Sequence, residues 1–429
     1  MLKQWLTVLA AVLCLLSGIV GAAAKPVQVW SIFSVEQTRI IQELTDAIFT
    51  PNTGIHVEIT AIPSSGYEQK YLLAAISNEM PEVAVSGSLG PADMGIRGAV
   101  VDLRARYGED YEKVHQSMYP GLMRSFDFLG SAFGLPTQTN IYPMIVRTDI
   151  MNELGLQVPS TWNELYEILP KLQSQGKNFA TTFGIGTSVY ADASMFIWQR
   201  GVDLYTPDRQ RSALDTPEAI AAFTEFTELF TKHKIPKEIN AYMDFTTGAI
   251  PIMLTSVWNY SALVQGAPDL EGKWTLSLVP GTVSADGATN HAAYIGGNSL
   301  MLFKNASRAD DGWEWMKWFV SRETQIALDQ LTPQRISGSM FLPSNHEAMM
   351  HVPFPEEHVE VFMEQAHQSV APVFALIPAS VIHRLFNFAT NKAVLQGVDP
   401  EVAIREAADE MNSELARKQK EFERFISKL

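Results

Sequence analysis

VQVWSIFSVEQTRIIQELTDAIFTPNTGIHVEITAI, residues 27–62, is the stretch whose reading decides the fold. Val27 to Ile32 is apolar and rich in β-formers, which predicts a strand. Val35 to Phe49 reads as a helix, and the turn-forming Pro51-Asn52-Thr53-Gly54 ends it before Ile55 to Ile62 returns to strand character. Strand, helix and strand in that order make a βαβ unit with parallel strands. The pattern continues: Tyr67 to Asn78 reads as helix, and Glu82 to Val85 as a short strand running into the loop Ser86-Gly87-Ser88-Leu89-Gly90-Pro91. Ligand sites of such sheets lie off the carboxyl ends of the strands, so the loops after Val29 and Val85 matter most.

Toward the carboxyl end the pattern changes. Phe133 to Thr139 and Ile141 to Val146 read as short extended pieces, after which helices dominate to about residue 235. Thr161 with Glu164 forms a capping box that starts a helix through Leu172, with Trp162 pinning it, and Thr216-Pro217-Glu218 starts another. Phe223, Phe226 and Phe230 mark the core face of that second helix. Trp274 to Val279 reads as a strand, and Tyr294-Ile295-Gly296-Gly297-Asn298 leads into another, Ser299 to Phe303. Asp311 to Leu331 is expected as one helix with Trp313, Met316 and Phe319 on its packed stripe and Trp315 and Trp318 off it. Asp399 and Pro400 cap a last helix.

Working outward to the amino end, Lys3 precedes an apolar run from Leu6 to Val20 that closes in Gly21-Ala22-Ala23-Ala24. A run of ~15 apolar residues falls short of the ~20 that span a bilayer, so residues 1–24 read as a cleavable signal peptide and the mature chain is expected to begin near Lys25. The only cysteine, Cys14, lies in this leader, which leaves the mature chain without a thiol. A lipid anchor on Cys14 is not expected, because Leu13 stands where that processing wants a small residue. Localisation in an enclosed periplasm follows.

The remaining ~405 residues exceed one compact core, so two α/β lobes are expected. A hydrophobic content of 46% with 18% charged residues describes an ordered globular chain. The net charge of -15, which becomes -16 when Lys3 leaves, argues against nucleic acid or an anionic membrane as partner.

Catalytic constellations mostly eliminate themselves. His346 and His351 are five residues apart, which turns the second about 140° from the first on a helix, so they cannot share a metal ion. Ser86-Gly87-Ser88-Leu89-Gly90 lacks the first glycine of a nucleophile elbow, and no phosphate loop or dinucleotide fingerprint occurs. The adjacent pairs Asp310-Asp311 and Glu356-Glu357 read as solvated helix starts. No cofactor and no metal are expected. Trp30, Tyr67, Tyr142, Trp198, Trp258, Tyr260 and Tyr294, however, stand beside polar residues such as Ser31, Gln138, Asn140 and Asn298. Rings that stack on C–H faces, next to amides and hydroxyls that bind sugar hydroxyls, suit carbohydrate.

The order of segments then resembles a known family. Val29-Trp30-Ser31, Pro81-Glu82-Val83, Phe133-Gly134-Leu135-Pro136, Val158 to Leu165, Gly296-Gly297, Trp315 to Ser321 and Leu395 to Ile404 are together similar to extracellular solute-binding proteins of the sugar-binding class serving ABC importers. Maltose-binding proteins belong to that class. Glu82 departs from the commoner aspartate. The resemblance implies a two-lobed periplasmic binding fold, with residues 25–139 plus 293–336 as the first lobe and 140–292 plus 337–429 as the second. Hinge crossings are implied near Pro136 to Tyr142, His291 to Ile295 and Arg335 to Pro343. It implies a non-enzymatic, monomeric protein that binds a carbohydrate in the inter-lobe cleft and passes it to permease subunits in the inner membrane. The ligand residues it implies are Trp30, Ser31, Ser86, Ser88, Thr137, Gln138, Asn140, Trp258, Tyr260, Tyr294, Gly296 and Gly297; Tyr67 and Trp198 join them from the aromatic pattern. Arg384 falls where an aromatic would stack, and with Arg335 it keeps open an anionic sugar or a glycerol phosphate as ligand. A secreted carbohydrate-active enzyme is the alternative from another class.

Overall fold

The computed structural model describes residues 25–181 and 189–426; the leader, with Cys14, lies outside them. β1 (Val27–Ser31) buries Val27 and Val29 completely. The helix after it, α1 (Val35–Leu44), begins at a capping box: Ser34 Oγ accepts from Gln37 N at 3.1 Å, and Gln37 Oε1 accepts from Ser34 N at 3.2 Å. One π-helical turn, Thr45–Phe49, extends it toward Gly54, whose φ of 72° closes the helix in the left-handed region. β2 (Val57–Ala61) then pairs parallel with β1, and α2 (Tyr67–Ser77) leads to β3 (Val83–Gly87), parallel on the other side. The βαβ reading of residues 27–85 therefore holds.

The first sheet has the order β2-β1-β3-β11-β4, where β4 is Leu135–Pro136 and β11 is Asn298–Leu302. Both later strands run antiparallel to their neighbours, with Ser299 opposite Ser86 and Pro136. α3 (Gly90–Ile96) follows β3 directly. The second sheet has the order β9-β6-β8-β7, built from β6 (Met144–Val146), β7 (Phe179–Ala180), β8 (Ile252–Leu254) and β9 (Thr275–Ser277).

Helices cover the second sheet. In α4 (Trp162–Ser174) the capping box forms as read, with Thr161 Oγ1 accepting from Glu164 N at 3.2 Å and Glu164 Oε2 accepting from Thr161 N at 3.1 Å. Trp162 is buried, stacks on Phe196 at 4.2 Å and donates Nε1–H to Gln199 at 2.8 Å, which pins α4 to α5 (Tyr190–Gln199). Phe223, Phe226 and Phe230 of α6 (Pro217–Thr231) enter the same core. After β8 comes α7 (Val257–Gly266).

One helix expected over Asp311 to Leu331 is instead two, α8 (Ala309–Phe319) and α9 (Arg322–Arg335). Ser321 breaks it, its hydroxyl accepting from Thr324 N at 3.4 Å as a new N-cap. Trp315 also departs from its expected place: it is completely buried and donates to Thr45 Oγ1 at 3.2 Å, because the π-helical turn covers that side of α8. Trp318 packs on Phe49 at 5.4 Å for the same reason. The chain ends in α10 (Glu356–Gln368), α11 (Ala379–Leu395) and α12 (Pro400–Ile426); α11 and α12 pack against α5 and α6.

Several strands cross between the sheets. β5 (Asn140–Ile141), between β4 and β6, pairs antiparallel with β10 (Ile295–Gly296), which lies between β9 and β11. A third crossing after α9 runs beside them, where Thr139 N donates to Leu342 O at 2.9 Å and Ser344 Oγ to Pro136 O at 3.1 Å. The segment 370–377, which sequence reading did not single out, also bridges them and bends at Leu376, whose φ is 68°. Val373, Ala375 and Ile377 enter the core of the second sheet, while Phe374 and Leu376 point into an apolar cluster of the first. Over Val373 to Ala375 that alternation is the period of an extended chain shared between two bodies.

Candidate functional site

At the carboxyl end of β3 the chain presents Ser86, Gly87 and Ser88 to a cleft between the sheets, as expected for a parallel strand end. Ser86 Oγ lies 3.0 Å from Ser299 Oγ, and Ser299 Oγ donates to Gly87 O at 3.0 Å, so the antiparallel β3–β11 register fixes the loop. α2 adds two rings. Tyr67 Oη accepts from Gly87 N at 3.0 Å, and Tyr71 Oη donates to Val85 O at 2.6 Å. Asp93 and Arg97 on α3 form an i,i+4 ion pair at 3.2 Å in the same wall, and the Arg97 guanidinium sits over Phe422 of α12 at 4.8 Å.

The opposite wall comes from the second sheet and its helices. Tyr190, at the start of α5, stacks on His383 of α11 at 4.7 Å. Tyr294 stands edge-on to Tyr142 at 5.4 Å and nearly parallel to Trp198 at 6.5 Å. Phe374 of the bridging segment closes the space, which measures about 450 Å³.

Its electrostatics are those of neutral donors. Burial raises the hydroxyls of Tyr67 and Tyr190, and pushes that of Tyr294 up to about 12, so all three keep their protons at neutral pH. Burial lowers the His383 imidazole, which keeps it uncharged. Among the described lining residues the single guanidinium, Arg97, is matched by Asp93, with Glu68 as a further carboxylate.

Of the residues singled out by sequence, Tyr67, Ser86, Ser88, Tyr294 and Gly297 line this cleft. Thr137, Gln138 and Asn140 lie on the adjacent crossing, Gly296 beside Gly297, and Trp198 behind Tyr294. The remainder sit elsewhere. Trp30 stacks on Tyr71 at 6.1 Å beneath Lys70, along an outer groove, and Ser31 is buried against Thr38 at 3.0 Å. Trp258 is half-exposed, and Tyr260 is buried with its hydroxyl 3.1 Å from His358 Nδ1. Arg335 is held by Glu43 at 2.9 Å and Glu36 at 3.1 Å, and Arg384 by Glu410 at 2.8 Å. Tyr190, Phe374 and His383 were missed, since the first turns of helices and a short irregular segment carry no local signal of a cleft.

Replacing Arg384 by Ala should leave ligand affinity unchanged within a factor of about two. It should change stability by less than about 1 kcal/mol, because the Glu410 pair is half-exposed. Calorimetric titration and thermal melting of the variant check both.

Two α/β bodies, several connecting strands and a ligand-sized cleft between them define the two-lobed periplasmic binding proteins. The chain belongs to the bacterial extracellular solute-binding protein family, whose pattern it matches over residues 34–326. Among solved structures, the sugar-binding protein MalE from Xanthomonas citri superposes with a TM-score of 0.79 at 19% identity, over 93% of this chain and 99% of that one. A cyclic alpha-maltosyl-1,6-maltose binding protein from Arthrobacter globiformis gives 0.75 at 20%, over 91% and 99%. At such identities the likeness is one of fold. The lactose-binding protein of Rhizobium radiobacter is 21% identical over 227 residues, 51% of this chain and 52% of that protein. The arabinooligosaccharide-binding protein of Halalkalibacterium halodurans is 25% identical over 161 residues, 35% and 36% of the two chains. The chain spans about half the length of the first curated relatives it matches.

Proposed function

We propose that this protein is the periplasmic solute-binding component of an ABC importer. It holds a carbohydrate, an oligosaccharide or sugar derivative, between its lobes and delivers it to permease subunits in the inner membrane. The observation that carries this reading is the lining of the cleft: tyrosine rings and serine hydroxyls from both walls, neutral at physiological pH, with the one guanidinium among the described lining residues already paired. Rings stack on sugar faces and hydroxyls exchange hydrogen bonds with sugar hydroxyls. Names of relatives that bind lactose, arabinooligosaccharide or maltose agree with it. An anionic ligand is disfavoured, because Arg335 and Arg384 are tied elsewhere and the described charges of the cleft sum to net negative.

In this reading residues 25–139 with 293–336 form one lobe and 140–292 with 337–429 the other, and the protein is an unanchored, non-enzymatic monomer. Membership of the two sheets supports that division for residues 27–136 and 298–302 against 144–277. No helix among the described residues is long and apolar enough to cross a membrane. Only a ligand that prefers the closed arrangement can shift the lobes toward it, and closure then presents the surface a permease reads.

A thermal-shift screen of neutral sugars, sugar acids and polyol phosphates tests the ligand class. A true ligand at 100 times its dissociation constant should add about 2.7 kcal/mol to stability. Stabilisation by neutral saccharides is expected; stabilisation by phosphorylated polyols alone would sink the neutral-sugar reading.

A further inference from the structure

A second cavity, of about 600 Å³, shares no lining residue with the carbohydrate cleft. Its walls are Tyr260, Val264 and Gln265 of α7, Asp329 and Pro333 of α9, Met340 of the third crossing and Phe354 before α10. α9 packs on α1 and sends Leu328 into the core of the first sheet, whereas α7 follows β8 of the second sheet. The cavity is thus a wedge between elements attached to different sheets. One hydrogen bond spans it, from Gly338 N to Gln265 Oε1.

Asp329 distinguishes this space from an ordinary packing gap. It is 2% exposed, and its Oδ2 accepts no hydrogen bond. None of the described lining residues is a lysine, arginine or histidine. Arg335, further along α9, is engaged by Glu43 and Glu36, and His358 of α10 meets Tyr260 Oη rather than the carboxyl group. Burial pushes the Asp329 carboxyl up to about 7. A buried polar atom without a partner is costly, and native proteins normally supply one. Val264, Pro333, Met340, Pro353 and Phe354 make most of the remaining wall surface apolar, with Ser261, Gln265, Gln330, Gln334 and Ser339 as its uncharged polar part.

We propose that this cavity is a second binding site, for a small organic amine with an apolar body, whose ammonium group donates to the Asp329 carboxylate while the body packs on Phe354 and Met340. At mildly alkaline pH, above its raised titration point, the Asp329 carboxylate is negative, which selects a cation over an acid, and this one charged anchor amid mainly apolar wall surface selects an amine over a polyol. Since the walls belong to elements tied to different sheets, an occupant that fits one lobe arrangement better alters carbohydrate affinity. Carbohydrate must then alter amine affinity by the same factor.

Calorimetric titration of the unaltered mature protein with 2-phenylethylamine, at mildly alkaline pH and without carbohydrate, tests the site. It is independent of the carbohydrate reading. Saturable binding of one amine per chain is expected, with 2-phenylethanol about tenfold weaker or worse, and Asp329→Asn weakening the amine to the same degree. Val264→Trp, at an exposed position of the wall, should fill the space and abolish binding. Should Asp329→Asn not fold, the amine-to-alcohol ratio and Val264→Trp decide. No saturation by the amine, equal affinity for amine and alcohol, or unchanged binding in Val264→Trp overturns the proposal.

Discussion

Replacing Tyr294 by Ala should weaken carbohydrate binding about 100-fold, equivalent to about 2.7 kcal/mol. The residue immediately precedes β10, the second strand crossing, and lines the cleft beside Tyr190, with Tyr142 and Trp198 also packed on its ring. A ring fixed in this way loses little conformational freedom when a sugar stacks on it, so nearly all of its contact area counts toward affinity. Tyr294→Phe separates the ring from the hydroxyl: it should cost about tenfold or less, the scale of one hydrogen bond. Calorimetry on both variants, with melting curves to confirm folding, checks the pair. Equal losses would assign the effect to the hydroxyl, and no loss in the Ala variant would remove Tyr294 from the site.

Gly297→Ala should lower the stability of the protein by about 2–3 kcal/mol and weaken ligand binding as well. A Cβ built on Gly297 would lie 2.1 Å from Gln138 O, at the point where the first and second crossings touch, and its φ of 150° is one that L-residues seldom adopt. Carbonyl and methyl cannot share that space, so the two crossings would have to separate. Gly287→Ala is the control. That residue also has a positive φ, 86°, but nothing lies within 4 Å of its added carbon, so only the backbone penalty of about 1 kcal/mol remains. Urea unfolding of the two variants distinguishes the explanations: a similar loss at both sites would mean that close approach at the crossing plays no part.

The fold was legible where local chemistry and global packing agree. Residues 27–85 alternate strand and helix, and the capping residue Thr161 acts at the helix start where it stands. Legibility failed where a distant element supplies the partner. Trp315 lies off the apolar stripe of its helix, yet the π-helical turn 270 residues earlier in the chain buries it. Tyr260 sits beside Asn259 and Ser31 beside Trp30 in sequence, but buried hydrogen bonds to His358 and Thr38 satisfy them away from the cleft.

The candidate site shows the same division. Ser86 and Ser88 follow from the rule that parallel strands end at a site, and Gly297 from its place at the strand entry. Tyr190 and His383, almost 200 residues apart, meet only because α11 packs across α5. Arg384 is the converse case: at a position aligned to a ligand-contacting one, its charge is paired with Glu410 on the next helix.

The most direct test is calorimetric titration of the mature protein with the best saccharide from the thermal screen, followed by chromatography of the recovered ligand. One saccharide bound per chain, returned chemically unchanged, with affinity lost in Tyr294→Ala, is the expected result. Turnover of the saccharide, or affinity that survives Tyr294→Ala and Tyr190→Ala alike, would contradict a carbohydrate held between the two lobes.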